Sequence, residues 1–155
     1  MKILTVVKSK HNDNTRMIAE AMSEVSPMTI IGLDDVKYYN FNEYDIVGFG
    51  SGIYFGKHDK ELFSFINKVC DKPAYSFVFS TSGSKNYNKN NSALIKLLES
   101  KNKTVLGSFG CPGLDKFFVF SLFGGINKGH PNIDDFEAAQ KFILEVIQKF
   151  NNIKT

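Results

Sequence analysis

The residues with the most concentrated chemical potential are Ser9-Lys10-His11-Asn12-Asp13-Asn14-Thr15. They follow an apolar run, Ile3-Leu4-Thr5-Val6-Val7, and open a segment, Arg16 to Val25, whose apolar residues recur at helical spacing. A polar loop between a buried strand and a helix is placed to hold an anion. The first-turn N–H groups have no intrahelical partners, and the helix dipole adds roughly half a positive charge there. Asn and Thr side chains add donors, and Lys8, Lys10, His11 and Arg16 are close in sequence. A phosphate suits that set. The same residues also read as an ordinary helix start, with Asp13 as the cap. No GxxxxGK[ST] and no GxGxxG occurs in the loop, so neither a Walker loop nor a dinucleotide fingerprint is present.

Two further stretches are built for close approach to a ligand. Gly50-Ser51-Gly52-Ile53-Tyr54-Phe55-Gly56 follows the apolar run from Tyr44, and Ser80-Thr81-Ser82-Gly83-Ser84 follows Ala74 to Phe79. Glycines let a backbone come near a ligand, and the hydroxyls add hydrogen bonds, although surface loops are polar and glycine-rich in any case.

The elements that must carry these stretches alternate along the chain. Strands are predicted at Ile3–Val7, Met28–Ile31, Tyr44–Gly50, Ala74–Phe79 and Thr104–Phe109. The first helix presents Met17, Ile18, Ala21, Met22 and Val25 on one face, and the second begins at Asp59, its cap, with Leu62, Phe63, Ile66 and Val69 inward. The third carries Leu94, Leu97 and Leu98, and the last opens on Asp134-x-x-Glu137, which fits a capping box, with Ala139, Phe142, Ile143, Val146, Ile147 and Phe150 inward. Residues 34–42 and 111–133 show no period. Nearly continuous apolar strands alternating with helices predict a parallel sheet covered on both faces, an α/β three-layer sandwich over residues 1–155 as a single domain. In such a sheet the ligand lies beyond the carboxyl ends of the strands, at the switch point between the first and third.

The N-terminal strand, then Ser9-x-His11-Asn12-x-Asn14-Thr15 leading into Ile18-Ala19-Glu20-Ala21, resembles the flavodoxin family, and the likeness runs along almost the whole chain. That resemblance implies a flavodoxin-like five-stranded parallel sheet in the order 2-1-3-4-5. It also implies an FMN-binding redox flavoprotein, either an electron carrier or a flavin-dependent reductase. Ser9, Lys10, His11, Asn12, Asn14 and Thr15 would wrap the FMN phosphate. Gly50, Ser51, Gly52, Ile53, Tyr54, Phe55 and Gly56 would lie along the flavin ring. Ser80, Thr81, Ser82 and Gly83 would meet its pyrimidine edge. The family's loop glycine is replaced by Asp13, and aspartate tolerates left-handed backbone angles better than most residues. Gly124 to Asn132 resembles a segment of the same family and reads as a structured turn into the last helix, with a ligand contact as the alternative.

Composition narrows the alternatives. The chain has 155 residues, 43% hydrophobic and 23% charged, which is ordinary for a globular protein. Its net charge of +3 is too mild to argue for nucleic acid, and it departs from the strongly acidic balance of flavodoxins that shuttle electrons. No run is long enough for a membrane span, no signal peptide opens the chain, and Cys70 and Cys111 form no CxxC, so a reduced, cytoplasmic setting is expected. A phosphoacceptor receiver domain needs acids after the first strand, an Asp ending the third and a Lys ending the fifth. Lys8-Ser9, Gly50-Ser51 and Gly110-Cys111 stand there instead. The remaining alternative is a flavodoxin-like interaction module without flavin. The redox reading implies a partner protein or a small-molecule electron acceptor, with no catalytic side chain required. Phe117-Phe118-Val119-Phe120-Ser121-Leu122-Phe123 is apolar enough to predict a homodimer seam or an extra packed element.

Overall fold

A computed structural model describes residues 1–10, 13–69, 73–113 and 128–155. β1 (Ile3–Lys8) is buried along nearly its whole length, and α1 (Asn14–Val25) follows it. After β2 (Thr29–Gly32) the aperiodic Tyr-rich stretch forms two 3-10 turns, Leu33–Tyr38 and Phe41–Glu43. Then come β3 (Ile46–Tyr54), β4 (Lys57–His58), α2 (Lys60–Val69), β5 (Tyr75–Ser82), α3 (Tyr87–Ser100), β6 (Thr104–Pro112) and α4 (Ile133–Lys154). The parallel strands stand in the order β2-β1-β3-β5-β6, and β4 pairs antiparallel with the end of β3. With β4 set aside, this is the order the resemblance implies. β1 and β3 are neighbours, with Ile3 opposite Ile46 and Val7 opposite Gly50, so the switch point lies where expected.

Side chains alternate across the sheet and bury both faces. Ile3, Val7, Ile46, Phe77 and Phe79 pack with Ile18, Ala19 and Met22 of α1 and with Ala139, Phe142 and Ile143 of α4. Leu4, Val6, Val47, Phe49 and Val78 pack with Leu62 and Ile66 of α2 and with Leu94 and Leu98 of α3. Burying each Val, Leu, Ile, Phe or Met among them stabilises the fold by roughly 1.5–3 kcal/mol before chain entropy is counted. Two β3 glycines exist for this packing. A Cβ on Gly48 would lie 2.2 Å from Phe77 Cζ, and one on Gly50 would lie 2.2 Å from Phe79 Cζ.

Several boundaries depart from the sequence reading. Ser51 and Gly52 continue the ladder opposite Ser80 and Thr81, so β3 and β5 run into stretches expected to be loops. Polar side chains do not interrupt a backbone ladder. The last helix is capped by Asn132, whose side chain accepts from the Asp134 and Asp135 N–H groups, while Asp135 accepts from Asn132. The capping box therefore sits ahead of the Asp134–Glu137 pair. The buried stripe of α1 takes in Asn14 and Thr15 with Ile18, Ala19 and Met22, and this rotation leaves Met17 and Val25 exposed. No described helix is long and apolar enough to cross a membrane.

Candidate functional site

Loop one leaves the carboxyl end of β1 and turns through Asp13, whose φ of 51° and ψ of 22° are left-handed. The aspartate thus holds the turn that a glycine would favour. Its side chain is exposed and makes no capping hydrogen bond, contrary to the capping role expected of it. The Asp13 carboxylate thus leaves the N-terminal end of α1 uncovered by its own charge, and a helix N-terminus suits an anion. Asn14 and Thr15 are buried just behind, and Ser9 is half-buried. His11 and Asn12 lie outside the described residues.

Thr15 reaches across the crevice. Its Oγ1 lies 2.8 Å from Thr81 Oγ1 on β5, so the first and third stretches meet in a buried hydroxyl pair. Gly113, just past β6, closes on the same spot: a Cβ there would lie 3.0 Å from Asn14 Nδ2 and from Thr81 Cβ. Only its place after Pro112 signalled a turn. Beside Thr81, Ser82 Oγ accepts from the Ser84 N–H at 3.0 Å and from Asn90 Nδ2 at 3.4 Å, with Gly83 half-buried after it. Ser80 Oγ is buried and takes no hydrogen bond among the described residues.

The second stretch is a hairpin. Ile53 pairs with His58 and Tyr54 with Lys57, leaving Phe55 and Gly56 as a two-residue turn. Both take positive φ, 50° and 75°, as a type I′ turn demands. Glycine suits this backbone and phenylalanine does not. Phe55 is also 99% exposed, so an apolar ring stands in water on a strained backbone. Tyr54 folds back, its hydroxyl 3.0 Å from the Cβ position of Gly52. Gly50 is buried, and the space its missing side chain leaves is filled by the Phe79 ring.

The cations near loop one are engaged. Lys10 Nζ lies 2.7 Å from Asp59 Oδ2 and stands 5.4 Å over the Tyr54 ring. Lys8 Nζ lies 2.7 Å from Glu61 Oε2 and 3.9 Å from Asp34, while Arg16 pairs with Glu20 at 3.4 Å. The Glu61 hydrogen bond raises the Lys8 pKa, and the Asp59 hydrogen bond raises that of Lys10. Burial pushes the Asp59 carboxyl up, but the Lys10 hydrogen bond, the Glu61 N–H and the two lysine charges outweigh it and hold the acid below its usual range. Asp59 also caps α2, accepting from Glu61 N–H at 2.9 Å, as the sequence predicted.

Towards the far edge, Cys111 is buried and burial pushes its thiol well above the usual range, with the Asp135 charge adding to it. The described end of the Gly124–Asn132 segment leads into α4, where His130 Nδ1 lies 2.7 Å from Asp135 Oδ2. Phe117–Phe123 and residues 124–127 lie outside the described residues.

An open parallel sheet with its inner strands at this switch point, and three polar stretches gathered there, defines a flavodoxin-type α/β protein. A flavodoxin-domain family model matches residues 6–154, and the chain belongs to that family. It is 39% identical over 152 residues to an uncharacterised protein of Methanocaldococcus jannaschii, covering 96% of this chain and 99% of that one. The solved structure of a flavodoxin from the domain Archaea superposes with a TM-score of 0.72 at 15% identity, over 97% of this chain and 99% of its own. A flavoprotein in complex with FMN from Lactobacillus acidophilus gives 0.58 at 16% identity, over 70% and 92%. At these identities the structural likeness concerns the fold.

Proposed function

We propose that this protein binds FMN without a covalent bond and passes electrons through it to a redox partner protein or a small-molecule acceptor. The observation that carries the reading is the Thr15–Thr81 hydroxyl pair at 2.8 Å, which joins loop one to the end of β5 over the switch point. Asn14, Thr15 and the first-turn amides of α1 hold the phosphate. One short loop of this kind suits one terminal phosphate, hence FMN rather than a dinucleotide. Tyr54 and Phe55 offer aromatic faces to a flat ring, and a stacked ligand would offset the exposure of Phe55. Thr81, Ser82 and Gly83 supply an uncharged polar edge, with Ser80 behind them.

When bound, the flavin supplies the electron chemistry, and the chain binds it, orients it and limits access to it. The FMN complex named for the Lactobacillus acidophilus flavoprotein supports this assignment. Titration of the purified protein with FMN, riboflavin and FAD, followed by flavin fluorescence, tests it. FMN is expected to bind tightest. Failure of all three to bind would return the chain to an interaction module on the same fold.

A further inference from the structure

Beneath the hairpin runs a buried chain of hydrogen bonds that phosphate and ring binding leave unexplained. Ser51 Oγ lies 2.8 Å from His58 Nδ1, and His58 Nε2 lies 2.9 Å from Asn91 Oδ1. Asn91 Nδ2 donates to the Phe109 carbonyl at 2.9 Å and to Ser108 Oγ at 3.0 Å. Ser51 and Asn91 are fully buried, and His58 is 3% exposed.

Partner chemistry sets the direction of the Asn91 and His58 protons. A carbonyl only accepts, so Phe109 fixes the Asn91 amide and turns its Oδ1 towards His58. Oδ1 also only accepts, so His58 carries its proton on Nε2 and leaves Nδ1 bare. The single Ser51 proton has two acceptors within reach, the Gly52 carbonyl and Nδ1, each at 2.8 Å. With Nδ1 bare, two lone pairs would face each other unless the proton turns to the ring, and the Ser51 oxygen accepts the Asp59 N–H at 3.0 Å. Burial lowers the His58 pKa to about 4, so the ring stays neutral near pH 7. The Ser–His–Asn order also suggests hydrolysis. Ser51 is fully buried, and no substrate carbonyl reaches its oxygen.

We propose that His58 is a positioning residue for the flavin-facing hairpin, locking both of its arms, and so Tyr54 and Phe55, to α3 and β6 through Ser51 and Asn91. The hairpin needs such a lock. β4 contributes only Lys57 and His58, and short two-stranded ribbons are marginal alone. Its turn also carries Phe55 at positive φ. Ser51 lies on one arm and His58 on the other, so a single imidazole ties the arms together and anchors them to the layer below. The ligand in this inference rests on the FMN reading, whereas the lock is measurable without any ligand.

The test uses His58→Gln, whose amide reaches the Nε2 position, and Ser51→Ala, which deletes one hydroxyl and spares the rest of the chain. Hydrogen exchange on the ligand-free variants is expected to speed up about tenfold at the Ile53–His58 pairing, with β1 amides unchanged. Both variants are expected to weaken FMN and riboflavin by the same factor, about tenfold, because the ring rather than the phosphate loses its support. Lower melting temperatures with unchanged hairpin exchange would make His58 an ordinary core residue and overturn the proposal. Selective hairpin exchange in a protein that binds no flavin would uphold the lock and fail the FMN reading alone.

Discussion

Thr15→Val and Thr81→Val probe fold and site together, because each deletes a hydroxyl while nearly keeping the side-chain shape. The two oxygens lie 2.8 Å apart, and the residues are 1% and 5% exposed. Either single change strands the surviving hydroxyl in a buried place, at a cost of about 1–3 kcal/mol. The double change strands nothing and forfeits only the net value of one hydrogen bond, about 0.5–1.5 kcal/mol. Urea unfolding of the four proteins without ligand should therefore show a coupling of about 1 kcal/mol or more. The ligand supplies a second signature. If Thr81 donates to Thr15, the Thr15 proton is free for a phosphate oxygen, and hydrogen bonds to charged groups contribute roughly 1.5–3 kcal/mol. Thr15→Val should then weaken FMN by roughly ten- to a hundredfold and leave riboflavin nearly unchanged. Additive stability losses would show that the hydroxyls do not meet. Equal losses for FMN and riboflavin would place the phosphate elsewhere.

Gly50→Ala drives a methyl to within 2.2 Å of Phe79 Cζ and should cost about 1–3 kcal/mol in urea unfolding, partly restored by Phe79→Leu; no loss would refute the packing role. Asp13→Gly relieves a left-handed backbone angle at an exposed residue that caps nothing, so a gain of up to about 1 kcal/mol is expected, and a clear loss of stability would show a cap after all. His58 is neutral in the fold, with a pKa of about 4 against 6.5 when unfolded. Below pH 6.5 the unfolded chain binds the extra proton, so stability is full above that pH and falls towards pH 4, by about 3 kcal/mol in all. Urea midpoints of wild type and His58→Gln across that range should differ in slope, and parallel curves would contradict the burial argument.

The sheet order was legible because every strand is a nearly pure apolar run and each lies between helical periods. Strand ends were not, since side-chain polarity says little about where a backbone ladder stops. Ser51, Gly52, Thr81 and Ser82 look like loop residues and hydrogen-bond as strand. The helical face of α1 was misjudged for a related reason: Asn14 and Thr15 are polar, yet they belong to the buried stripe, Thr15 against Thr81 and Asn14 against Gly113. Asp13 was legible as a left-handed turn residue and not as an uncapped one, because capping depends on where the carboxylate points. His58 and Asn91 carry no motif at all. Thirty-three positions separate them in sequence, and only the fold brings the imidazole and the amide to 2.9 Å.

Charge near loop one has a different use from the one its composition suggests. Lys8, Lys10 and Arg16 read as a cationic cradle, yet each already holds a carboxylate. Lys10 matters most, because its partner Asp59 is buried, caps α2 and directly follows β4. The pair therefore ties loop one to the base of the hairpin across the crevice, while the Thr15–Thr81 pair ties the same loop to β5. Both crossings exist without a ligand, so the walls of the crevice are already set, and the ordering cost of the FMN binding proposed above would fall accordingly. A phosphate entering it would meet neutral hydroxyls, an amide and the end of a helix dipole. Such donors select by direction and distance rather than by charge. That arrangement favours one well-shaped anion over the general pool of anions that an unpaired lysine cluster would attract.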